Sequence, residues 1–148
     1  MSLLRAYQDA LVEEIQHREF FATLGIQVLS RKIKDVTSEI EKALASIGIA
    51  LFVFPPEPKN FESNIPTPTF KQMSVRVRIA ENPLANQTGK DAWDVWEETI
   101  KLHTWRCATP PCFGALFGQD KPFEDQSVDA DLLRVFDALF TVQVVLKR

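Results

Sequence analysis

The chain is short of cysteine, glycine and long apolar runs, and it has no excess of basic charge. Two cysteines in 148 residues exclude a disulfide scaffold, the resort of small secreted domains that cannot build a sufficient core. Five glycines without a triplet period exclude a collagen-like chain. No stretch approaches the roughly 18 consecutive apolar residues that a bilayer span requires. The first residues mix Arg5, Gln8, Asp9, Glu13 and Glu14 into their apolar positions, which does not read as a signal peptide. Seventeen Lys+Arg stand against 20 Asp+Glu, a balance that argues against general binding to nucleic acid or an anionic membrane.

Motifs of chemistry are equally scarce. There is no G-x-G-x-x-G, P-loop, H-E-x-x-H or G-x-S-x-G. His103, Cys107 and Cys112 supply three candidate ligands where a structural zinc site takes four. A thiol nucleophile paired with His103 would lack an orienting third group. The plainer reading places His103 at a helix C-terminus, where the dipole favours it, and leaves both thiols reduced, as in a cytosolic protein. No metal, cofactor or enzymatic activity is expected.

What remains is an ordinary globular composition, 45% hydrophobic and 25% charged, enough for one core in one domain. Leu4, Tyr7, Leu11, Val12 and Ile15 form one stripe of an amphipathic helix over residues 3–17. Ile26 and Val28 suggest a short extended piece, followed by the basic turn Arg31-Lys32-Ile33-Lys34. A second helix runs to Gly48, with Ser38 and Glu41 as a capping box. Ile49–Phe54 is apolar on both faces and predicts a well-covered strand, stopped by Pro55-Pro56.

Five of the nine prolines fall between Pro55 and Pro68, so residues 55–70 read as a stiff loop or an arm. Met73, Val75, Val77 and Ile79 then alternate with Ser74, Arg76 and Arg78, a half-buried strand with a cationic outer face. A third helix is expected over residues 90–105, with Trp93, Trp96 and Ile100 on one stripe and Asp91, Asp94, Glu97 and Glu98 near its start. Residues 112–128 look irregular, and a long strand over 136–146 ends the pattern. The fold class is α+β. Arg76, Arg78 and Arg134 against Asp91, Asp94, Glu97 and Glu98 are candidate inter-subunit charges, better suited to setting register than to supplying affinity.

The order of elements carries a resemblance. A helix runs into an apolar strand (Ile40–Phe54), a proline-rich loop follows, and a strand leads into Glu81-Asn82-Pro83 and Asn86. A helix then ends in Leu102-His103-Thr104-Trp105, and a long strand closes the chain. This resembles the tail terminator, or tail-completion and neck, proteins of long-tailed phages and prophages, also called minor tail protein U-like. The likeness spans residues 35–148, leaving 1–34 as an additional N-terminal helical extension within a single compact domain. Pro110-Pro111 with Cys112 is a further departure.

The resemblance implies a non-enzymatic subunit whose fold is a mixed or mainly antiparallel sheet with helices on one face. It implies a homo-oligomeric ring, commonly a hexamer, that caps the tail tube and joins it to the head. Its partners would be tail tube and head–tail connector proteins, with no direct contact to nucleic acid or membrane. Its place would be the virion tail, or the host cytoplasm when expressed from a prophage. An alternative is a small cytosolic binding or adaptor domain that holds a partner along a sheet edge, with the long last strand as that edge.

Overall fold

Tyr7, Leu11 and Ile15 recur every fourth residue, and the helix they define, α1 (Leu3–His17), buries all three. The computed structural model describes residues 3–30, 36–58, 70–107, 117–127 and 132–145. Arg18 steps out of the helical region, and a short second helix, α2 (Glu19–Leu24), buries Phe21 before Gly25 closes it in the left-handed conformation. The sequence did not suggest α2, because six residues carry too little periodicity to separate a helical turn from an extended piece. Strand β1 (Gln27–Ser30) follows, one residue beyond Ile26.

Helix α3 (Val36–Ser46) connects β1 to β2 (Ile49–Val53), and the two strands are parallel neighbours. A crossover of this kind needs a dozen or more residues, which the connection between Ser30 and Ile49, α3 included, supplies. Ser38 lies inside the first turn of α3 rather than ahead of it, and Asp35, the residue preceding the helix, lies outside the described residues. Gly48 ends the helix as expected, with φ +88°. All five residues of β2 are buried, as their two-faced apolarity predicts.

Pro55-Pro56 does not end the pairing. Phe54 N donates to Arg76 O at 3.1 Å, and β3 (Glu57–Pro58) resumes against β4 with one extra residue accommodated on its side. The two prolines occupy an irregularity where missing N–H groups cost no ladder bond. The rest of the expected arm, residues 59–69, lies outside the described residues.

Strands β4 (Phe70–Glu81) and β6 (Arg134–Val145) run antiparallel in register over twelve residues each. Between them in sequence come α4 (Ala92–Ile100) and β5 (Phe117–Asp125). Strand β5 stands where irregular chain was expected. Gly118 and Pro122 hide it, and its register against β6 shifts between Gly118 and Phe123. Pro122 therefore falls inside a strand, at an edge and an irregularity, the places where proline is tolerated.

The fold is α+β, and the described residues form four helices on a mixed six-stranded sheet ordered β1-β2-β4-β6-β5, with β3 pairing β4 off that path. Val28, Leu51, Val53, Val75, Val77, Ile79, Phe136, Ala138 and Phe140 share one face and form the main core with α1, α2 and α4. Leu29, Ala50 and Phe52 alternate onto the opposite face, and their burial beside Ala43 and Leu44 places α3 there. Residues 3–30 thus contribute two helices and a strand to the same sheet and core.

Candidate functional site

The cationic face of β4 is balanced from within. Register sets Arg78 directly opposite Asp137 and places Arg76 on the diagonal. Arg78 Nε donates to Asp137 Oδ1 at 2.9 Å and Nη2 to Oδ2 at 3.1 Å, while Arg76 Nη1 donates to Oδ2 at 3.1 Å. Asp137 is 0% exposed. Glu124 of β5 extends the group, 3.9 Å from Arg76, and the Arg78 guanidinium lies 4.9 Å from the Phe54 ring centroid. Trp96 reaches the same residue from the other face, its Nε1 donating to Asp137 O at 3.2 Å. Arg76 and Arg78, expected to await a neighbouring subunit, already share an anion inside the fold. Asp137 was visible in the sequence as the acidic residue on the polar side of the last strand, and cross-strand register was the missing information.

Glu81-Asn82-Pro83 and Asn86 fold into a second polar centre. Glu81 is buried at the end of β4. Its carboxylate accepts from Asn86 Nδ2 at 2.6 Å and from Ala92 N, the first residue of α4, at 3.2 Å. A carboxylate at a helix N-terminus meets unpaired N–H groups and the positive end of the dipole. Asn86 also donates to Lys90 O at 2.7 Å and accepts from Thr88 N and Oγ1. The turn 82–91 is therefore clamped onto the sheet by one side chain.

Asp91 and Asp94 form a reciprocal capping box: Asp91 Oδ1 accepts from Asp94 N at 2.9 Å, and Asp94 Oδ2 accepts from Asp91 N at 3.1 Å. Arg134 sits between these groups, its Nη1 3.9 Å from both Glu81 Oε1 and Asp91 Oδ2. Glu98 accepts from Lys101 Nζ at 2.6 Å, and Glu97 is exposed. The seven candidate charges thus divide between two centres, the Asp137 group (Arg76, Arg78) and the Glu81 group (Asp91, Asp94, Arg134), with Glu97 and Glu98 further along α4.

Among the grooves on the surface of the described residues, two adjoin α2 and β1. One, of about 570 Å³, lies between α2 and the α4 region and is lined by Arg18, Phe20, Leu24, Lys90 and Glu98. The other, of about 380 Å³, follows β1 and is lined by Gln16, Phe21, Ala22 and Gly25–Leu29. Trp93 is 46% exposed, stacked on Phe123 at 4.9 Å between ring centroids.

The thiol and imidazole candidates do not gather into a metal centre among the described residues. His103 follows α4, which is shorter than expected, and its Nδ1 lies 3.1 Å from Ile100 O at the helix end. Cys107 is buried in the core near Tyr7, and Cys112 lies outside the described residues. Burial, and secondarily the Cys107 thiol, push the Tyr7 phenol above its ordinary value. No described helix is long and apolar enough to cross a membrane. Strand β6, expected as the open edge, is instead interior, flanked by β4 and β5.

No protein-family model matches the chain, and no curated protein matches it in sequence. Its fold has a solved counterpart: a structure 14% identical in sequence matches with a TM-score of 0.59, over 100% of this chain and 99% of its own. At that identity the likeness shows the fold alone. The match takes in residues 1–34 as well, so α1, α2 and β1 belong to the shared architecture.

Proposed function

We propose that this chain is a structural subunit of a phage or prophage tail, of the tail terminator or neck kind, acting as a protomer of a ring that caps the tail tube and meets the head. The observation that carries the reading is the run α3–β2–β4–Glu81-Asn82-Pro83–α4–β6, with β3 set between β2 and β4 and β5 between α4 and β6. It is the order on which the resemblance rests, and the Glu81 centre gives its short signature a fixed structural role. The function is assembly, and its chemistry lies in surfaces.

The test is light scattering on the purified full chain at several concentrations and salts, with and without a tail tube protein. A closed oligomer of defined size, alone or on the tube, is expected. A strict monomer in every condition would overturn the reading. Deleting Lys59–Thr69 should leave the far-ultraviolet circular dichroism unchanged and impair assembly. A deletion variant that assembles normally removes the arm from the proposal. A second reading, a binding module that holds a peptide along a sheet edge, is favoured by the groove beside β1.

A further inference from the structure

Trp93 lies flat against Phe123, with 20° between the ring planes, and touches Phe136 at 4.5 Å between centroids. Those two rings are themselves 5.1 Å apart, so both sit on one side of the indole. The side away from them is open, and Trp93 is 46% exposed. Carboxylates stand around it. Glu97, one helical turn further along α4, is exposed. Asp125 is exposed too, and it is the cross-strand neighbour of Phe136. Arg134, the cation two residues before Phe136 on the same face of β6, is already placed between Glu81 and Asp91. An open aromatic face with carboxylates beside it fits a guanidinium, whose plane stacks on the ring while its edge donates to the acids.

The chain carries such a group at its other end. Arg18 is paired with Glu14, Arg76 and Arg78 with Asp137, and Arg134 with the Glu81 group. Arg5 and Arg106 are both exposed and make no ion pair among the described residues. Arg5 stands in the first turn of α1, where helices fray. Arg106 is fixed on both sides, by Trp105, whose ring centroid lies 5.6 Å from that of Tyr7, and by the buried Cys107. Trp93 and Arg106 lie at opposite ends of α4, which spans about 12 Å at 1.5 Å per residue. They also lie on opposite flanks, Trp93 against β5 and Trp105 against α1. The guanidinium therefore meets an indole only in another copy. We propose that Arg106 of one copy stacks on Trp93 of the next, between its Glu97 and Asp125. Each copy gives one arginine and receives one, a head-to-tail contact that closes into a ring when the rotation permits. The inference rests on the ring reading above and names a contact that builds it.

Light scattering on the full chain with Arg106→Glu tests it. The variant sets a carboxylate against Glu97 and Asp125 and removes the cation from the indole, so the concentration needed for assembly should rise about tenfold or more. Assembly at the wild-type concentration overturns the contact and leaves the ring reading standing. A wild-type chain that never assembles, even on a tail tube protein, overturns both. Where circular dichroism shows that Arg106→Glu does not fold, Arg106→Lys decides, because it keeps the charge and supplies an amine for zero-length carbodiimide coupling. Assembled from mixed light- and heavy-isotope chains, it should give inter-copy links from position 106 to Glu97 or Asp125. An assembled oligomer without those links rejects the contact.

Discussion

Arg78 and Asp137 face each other across the central ladder, the guanidinium reaching both carboxylate oxygens, yet only the acid is fully buried. That asymmetry decides which loss matters. Removing the arginine leaves a buried anion with Arg76 as its one remaining cation in contact, while removing the acid leaves two cations that can turn toward water. Breaking a fully buried pair costs about 3–5 kcal/mol, and Arg76 moderates it here, so Arg78→Met should destabilise by roughly 2 kcal/mol. Adding Asp137→Leu to Arg78→Met should recover most of that loss, because no unpaired buried charge remains. Urea unfolding of the two single variants and the double variant measures the coupling. Simple additivity would show that the residues act independently.

The same pair shows how far the sequence could be read. Alternation along β4 and β6 placed the apolar faces correctly, because strand period is written into every second residue. The helices α1 and α3 were legible for the same reason, at a period of 3.6 residues. Pairing partners were not legible, since register depends on contacts about 60 residues apart in the chain. Arg76 and Arg78 therefore looked like spare surface charge. Strand β5 was missed because glycine, proline and an irregular register erase alternation, and α2 because six residues, fewer than two turns, are too short to show a period. The expected edge at β6 failed on strand order, which local sequence does not specify.

Glu81 should behave as the fastener of the turn 82–91. Glu81→Gln keeps the shape, but the amide presents an N–H₂ to one of two donors, Asn86 Nδ2 or Ala92 N. A cost of about 1.5–3 kcal/mol is expected for a lost hydrogen bond to a charged group. The sharper readout is native-state hydrogen exchange. Protection should fall at Thr88 and Ala92 and hold across the β4–β6 ladder. A uniform loss across the whole sheet would mean that Glu81 supports global stability rather than this turn.

Gly25 and Gly48 both have positive φ, of +65° and +88°, but only one is crowded. A Cβ at Gly48 would lie 2.3 Å from Asn86 N and 2.6 Å from Ala85 C, backbone that cannot swing aside, whereas a Cβ at Gly25 meets nothing within 4 Å. Gly25→Ala should cost about 1–2 kcal/mol, the ordinary penalty for a left-handed L-residue. Gly48→Ala must also push the 82–91 turn off the sheet and should cost at least twice as much, or prevent folding. Thermal denaturation of both variants gives the comparison. Equal losses would show that the close approach relaxes freely.

Tyr7 sets an alkaline limit on stability. Its phenol is buried in the core beside Cys107, and burial first, then the thiol, raise its pKa above the ordinary 10.0. Below about pH 10 the phenol is protonated in both folded and unfolded chains, and its contribution is fully present. As pH rises past that value the unfolded chain releases the proton and the folded chain keeps it. The unfolded state then binds fewer protons, and stability falls by up to about 1.4 kcal/mol per pH unit. The chain has one tyrosine, so tyrosinate absorbance reports on this residue alone. It should emerge together with loss of the folded circular dichroism signal rather than before it. Tyr7→Phe should remove the phenol's share of the decline, leaving only the slope contributed by other titrating groups. A tyrosinate signal that develops near pH 10 while the fold is intact would show that the phenol reaches solvent in the native state.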